Sequence, residues 1–130
     1  MSDEFGKVAV LMGGQSSERE ISLLSGNAVL DALQAGGINA VGIDTGNDFF
    51  ASIEKETFDR AFVMLHGNYG EDGRVQAALD LMNIPYTGSG HLASALAMDK
   101  VRSKMLWASQ GLATPAFEML STESNWQTVI

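Results

Sequence analysis

The chain is 130 residues long, the size of one ordinary domain, and its 45% hydrophobic content suffices for one core burying roughly two-thirds of the unfolded surface. Sixteen acidic against eight basic side chains leave a formal charge of -8, which repels a polyanion and argues against a nucleic-acid partner. There is no cysteine for disulfides, thiolate metal sites or thiol catalysis, MSDEFGK has no secretory-signal layout, and no apolar run approaches the ~20 residues of a membrane span, so the expectation is a soluble, cytoplasmic protein.

Lys7 to Met12, KVAVLM, is a short apolar run that ends in Gly13-Gly14 and reads as a buried parallel strand turning abruptly. Ile21, Leu24, Ala28, Val29, Ala32 and Leu33 then recur at helical spacing until Gly36-Gly37, which predicts an amphipathic helix with those residues on its apolar face. Ile38 to Asp44 predicts a second strand, Asn47 to Thr57 is left as a variable stretch, and Arg60 to Leu65 predicts a third strand. A glycine-rich loop, His66 to Gly73, leads into a helix over Arg74 to Met82, and Ile84 to Thr87 reads as a short fourth strand. One helix is expected from His91 to Gln110, stopped by Gly111, with Met98, Val101, Met105 and Ala108 as its stripe. Leu112 to Leu120 reads as an extended segment, and Trp126 to Ile130 ends without a polar tail or cap, which suggests a piece cut from something longer. Strands alternating with helices imply an α/β fold, a Rossmann-like parallel sheet with helices on both faces.

In such a sheet ligands bind beyond the carboxyl ends of the strands, where the loops after strands one and three converge if the strand order reverses. Those loops are GGQSSERE and HGNYGEDG, and neither has the glycine spacing or the Lys-Ser/Thr ending of a phosphate cradle. Ser17 and Glu20 form the pattern of a capping box, a structural role. Glu18 would then take the first helical position, where the helix dipole favours its ionised form. A carboxylate fixed at the floor of a cleft is a receptor for a primary ammonium, such as that of an amino acid. Spacing alone leaves this reading level with plain decoration of a helix start.

His66 ends the third strand within reach of the same cleft and either hydrogen-bonds a substrate or is an ordinary loop histidine. His91 reads as a surface or capping residue, and Glu71 with Asp72 as possible magnesium ligands, though Asp72 suits a helix cap better. Lys100, Arg102 and Lys104 make a basic cluster whose default reading is a solvated face.

Taken together, GGxSxEREISLxSG at Gly13 to Gly26, HGxxGEDGxxQ at His66 to Gln76, IPYTGSG from Ile84 and AxxMDKxxSK ending at Lys104 resemble the N-terminal part of the D-alanine:D-alanine ligase family, ATP-grasp enzymes of bacterial peptidoglycan synthesis. The resemblance runs from Lys7 to about Leu120. It implies that ATP phosphorylates the carboxylate of one D-alanine and that the amine of a second attacks the acyl phosphate, with magnesium as cofactor. By the same resemblance Glu18 orients the ammonium of the first D-alanine, His66 lies beside that substrate, and Lys100 lies near the ATP phosphates. It also implies a homodimer, a substrate domain over residues 1–90, and the truncated start of the central ATP-grasp domain over 91–130. Magnesium ligands and transition-state residues are expected beyond Ile130, so the 130 residues alone are expected to be inactive. The rival readings are a D-alanine:D-lactate or other ATP-grasp ligase, and a non-catalytic magnesium-binding α/β module using Glu18, Glu71 and Asp72.

Overall fold

The computed structural model describes residues 4–46 and 48–120. Strands Val8–Met12 (β1), Ala40–Asp44 (β2) and Arg60–Val63 (β3) form a parallel sheet in the order β2-β1-β3. All five residues of β1 are buried, because a central parallel strand has neighbours on both edges and cover on both faces. Its register runs from Val8 opposite Ala40 to Met12 opposite Asp44 on one edge, and from Val8 opposite Arg60 to Leu11 opposite Val63 on the other.

Side chains alternate across the sheet, so β1 feeds two layers. Ala9 and Leu11 point into the main core with Ile43, Ala61 and Leu65, and that side is roofed by Ile53 of α2 (Phe49–Ile53) and by Val75 and Leu79 of α3 (Arg74–Leu81). On the opposite face Met12 packs against α1 (Arg19–Ala35) at Gly26, where an added Cβ would lie 2.5 Å from the Met12 Cβ. Leu30 of α1 reaches Gly42 of β2 on the same side. The α/β class and the helices on both faces are therefore as the alternation of elements predicts.

The predicted apolar face of α1 is corrected. Ser22 and Gly26 are its buried residues, with Val29 and Leu33 half-buried, whereas Ile21 is 59% and Leu24 71% exposed. Small residues let the helix backbone approach the sheet, so the inward face carries little hydrophobic signal and the outward one misleads. The helix also lacks the capping box: Glu18 is its N-cap, no side chain caps it, and the Glu18 N–H instead donates to Ser16 Oγ at 3.1 Å.

Further along, α2 occupies the stretch read as variable, started by Asp48, whose carboxylate accepts from the Ala51 N–H at 3.0 Å. The fourth strand is only a single parallel bridge between Ala61 and Tyr86. The long helix is two: α4 (His91–Met98) and α5 (Lys100–Ser109), divided at Asp99, which is extended at φ -89°, ψ 97°. The Asp99 carboxylate accepts from the Arg102 N–H at 2.9 Å, a helix start inside what its spacing presents as one helix. Residues 112–120 form no strand; Lys104 Nζ ties them down by donating to the Pro115 carbonyl at 2.9 Å and to Thr114 Oγ1 at 3.2 Å. Trp126 to Ile130 lie outside the described residues.

Candidate functional site

With β1 central, the chain leaves it toward one sheet edge and returns through β3 on the other, so the loops after β1 and β3 face each other across a crevice. Three hydroxyls join the two sides. Ser22 Oγ, fully buried, accepts from the Gly13 N–H at 2.9 Å and donates to the Met64 carbonyl at 2.6 Å. Ser16 Oγ donates to the His66 carbonyl at 2.7 Å, and Ser25 Oγ lies 3.1 Å from His66 Nε2. Residues 64–66 are thus held by the turn and first two turns of α1.

Gly67 follows, at φ +66°, and a Cβ there would stand 3.2 Å from Glu18 Oε1 and 3.3 Å from Ser16 Cβ. The Glu18 carboxylate therefore faces the start of the second loop, next to His66. Glu18 is exposed and makes no capping hydrogen bond, which leaves its oxygens available to a ligand. Arg19, the next residue, is turned away toward β2: its guanidinium forks onto both carboxylate oxygens of Asp44 at 2.8 and 2.6 Å. That contact lowers the pKa of Asp44 and raises that of Arg19.

The other acidic residues of the second loop hold the loop itself. Glu71 Oε2 accepts from the Gly67 N–H at 2.7 Å, and Asp72 accepts from the N–H groups of Tyr69 at 2.9 Å and Arg74 at 3.3 Å. Gly73, not Asp72, is the N-cap of α3, so the predicted cap sits one residue early while still binding the first helical N–H. Among the described residues no group of three or more His, Asp or Glu is placed to hold a metal ion.

Lys100 is the first residue of α5 and lines a cleft of about 450 Å³ together with His66, Glu71, Gln76, Ser89 and Ser94. Gln76 Nε2 donates to the Gly70 carbonyl at 2.7 Å, while its buried Oε1 has no partner among the described residues. Of the predicted site residues, Glu18 faces Gly67, the residue after His66, and His66 and Lys100 share one cleft; Glu18 does not line it. His91, the first residue of α4, pairs its Nδ1 with Asp80 Oδ2 at 2.8 Å, while its backbone carbonyl packs against Gly73 at the end of the second loop. Ser22 and Ser25 are fixed positions of the motif at Gly13 to Gly26, but the motif assigns them no role; their three-residue spacing next to Gly26 marks a small, polar face turned to the sheet.

A family model described as D-ala D-ala ligase N-terminus matches residues 7–57 and 46–89 of the chain. The chain belongs to this ligase family. It is 56% identical over 127 residues to a D-alanine-D-alanine ligase of Aromatoleum aromaticum, covering 98% of this chain and 41% of the relative. It is 59% identical over 121 residues to one from Ectopseudomonas mendocina, covering 93% and 39%. Among solved structures, the D-alanine-D-alanine ligase of Bacillus anthracis complexed with ATP superposes with a TM-score of 0.81 at 38% identity, covering 92% of this chain and 41% of that one. The chain spans about two fifths of the length of the curated relatives it matches. Both crevice loops lie inside the part matched to the ligase family model, whereas Lys100 lies outside it.

Proposed function

We propose that this chain forms the amino-acid-binding side of an ATP-dependent D-alanine:D-alanine ligase that serves peptidoglycan synthesis in the cytoplasm. The observation that carries the reading is the Glu18 carboxylate, uncapped and facing Gly67 beside His66 at the strand-order reversal. An ionised carboxylate there orients a substrate ammonium through a charge-assisted hydrogen bond. His66 lies against the same substrate, and Lys100 supplies positive charge to the ATP phosphates. In the reaction, the carboxylate of one D-alanine attacks the γ-phosphoryl group to give an acyl phosphate and ADP. The amine of the second D-alanine then displaces phosphate and forms the peptide bond.

On this reading residues 1–90 are the substrate domain, residues 91–130 begin the domain that carries the nucleotide, and the assembled enzyme is a homodimer. The Lys100 ammonium and the Ser89 hydroxyl are a donor set suited to phosphate, while the Ser94 hydroxyl donates to the Ser89 carbonyl at 3.2 Å. The described carboxylates do not suit magnesium, since Glu71 and Asp72 are engaged by backbone N–H groups, and no step here is assigned to the ion.

The test is a chimera in which this chain replaces the matched part of the Aromatoleum aromaticum relative, assayed for phosphate release from ATP with D-alanine alone and with D-lactate added as acceptor. Release that depends on D-alanine and yields the dipeptide is expected, with none from the 130 residues alone. A folded chimera that releases no phosphate overturns the proposal, and a product containing lactate reassigns the acceptor.

A further inference from the structure

Ser25 has one hydroxyl hydrogen and three polar neighbours. The Ile21 carbonyl lies 2.9 Å and the Ser22 carbonyl 3.3 Å from its oxygen, both on its own helix, and His66 Nε2 lies at 3.1 Å. Carbonyl oxygens only accept, and the Ile21 carbonyl at 2.9 Å is nearer than Nε2, so the hydrogen is assigned to it, in the usual back-bonded geometry of a mid-helix serine. The Ser25 oxygen then meets Nε2 with a lone pair, and that contact is a hydrogen bond only if Nε2 carries the proton.

We infer that Ser25 is a positioning residue that holds the neutral His66 ring in its Nε2-protonated form, leaving Nδ1 as the ring's acceptor. The second anchor is the backbone: the His66 carbonyl is held by Ser16 Oγ at 2.7 Å, so both ends of the residue are tied to the α1 side of the crevice. A neutral ring so held offers a lone pair to an ammonium and nothing to a carboxylate. That consequence for binding rests on the amine-recognition reading above; the tautomer itself rests only on the geometry.

The chain has two histidines, and the second is a built-in contrast. His91 presents Nδ1, not Nε2, to its partner Asp80 at 2.8 Å, so its Nδ1 carries the proton. Long-range proton-nitrogen correlation spectra of the ¹⁵N-labelled chain, recorded above the histidine titration range, separate the two tautomers. The expected result is an Nε2-protonated signature for His66 and an Nδ1-protonated one for His91. Ser25→Ala should convert His66 to a mixture of tautomers without altering His91, and Ser25→Thr, which keeps the hydroxyl, should restore the wild-type pattern. An Nδ1-protonated His66 in the wild type, or a tautomer unmoved in a folded Ser25→Ala chain, overturns the inference. If Ser25→Ala does not fold, the wild-type and Ser25→Thr spectra decide it. None of these spectra depends on ligase activity, so a failed chimera and a failed tautomer are distinguishable.

Discussion

The guanidinium of Arg19 grips both carboxylate oxygens of Asp44, at 2.8 and 2.6 Å, and also donates to the Gly14 carbonyl at 3.1 Å, so the start of α1 is tied to the end of β2. The hydrogen bonds from Arg19 hold the Asp44 carboxyl below its ordinary value of 3.8. A group whose folded-state pKa is depressed contributes stability that is complete above the unfolded value and is lost as the pH falls through the folded one. Arg19 stays charged throughout, so Asp44 alone titrates in this pair. Asp44→Asn should therefore lower stability at pH 7 and flatten the loss between neutral pH and pH 3, as measured by urea denaturation at both. Parallel pH profiles for the two proteins would remove the pair from the account.

Ser22→Ala removes the bond accepted from Gly13 and the one donated to Met64, and leaves that buried N–H and that carbonyl without a partner. Unsatisfied buried groups cost about 1–3 kcal/mol each, so the substitution should lose about 2–6 kcal/mol. Hydrogen exchange gives the specific signature: the Gly13 amide should lose protection well before the amides inside β1.

Gly26→Ala puts a methyl carbon 2.5 Å from the Met12 Cβ and 3.0 Å from its sulfur. Because the nearest atom is fixed to the strand backbone, rotation of Met12 does not clear it, and the helix must move off the sheet. Overpacking of this kind costs about 1–3 kcal/mol, outweighing the gain in helix propensity of about 1 kcal/mol. The change in urea midpoint measures the balance, and it should be a decrease.

Glu18→Gln keeps the shape of the side chain and removes its charge. In the chimera it should lower kcat/KM for D-alanine roughly 10- to 150-fold, the equivalent of a hydrogen bond to a charged group at about 1.5–3 kcal/mol. Wild-type kinetics at both alanine sites would release Glu18 from that role.

Lys100→Ala should act on the other substrate. Its expected effect in the chimera is a raised KM for ATP with little change for D-alanine, since Lys100 lines a cleft that Glu18 does not. An unchanged ATP dependence would make Lys100 a solvated surface residue.

Much of this was legible from the sequence, for identifiable physical reasons. β1 announces itself because a doubly covered strand must be apolar throughout. The two acidic turns stand out because carboxylates are unusual where a sheet offers its anion site. The inward face of α1 is not legible because close packing against Met12 demands Ser22 and Gly26, residues with almost no hydrophobic signal, while Ile21 and Leu24 carry that signal outward. The division at Asp99 is hidden because apolar spacing continues across the break, and an aspartate with backbone partners two and three residues on looks like any surface charge. Ser17 and Glu20 have the pattern of a capping box, but the Ser16 hydroxyl binds the Glu18 N–H, and the helix starts one residue later than the box requires. Local patterns lose where a neighbouring element offers the same atoms a better partner.

Gly67 draws these threads together through an atom that is missing. Its backbone lies in the left-handed region, and the position a methyl carbon would fill is 3.2 Å from the Glu18 oxygen. Any other residue at 67 would strain the backbone and crowd its Cβ against that oxygen. Glycine at 67 thus leaves that side of the Glu18 carboxylate uncovered.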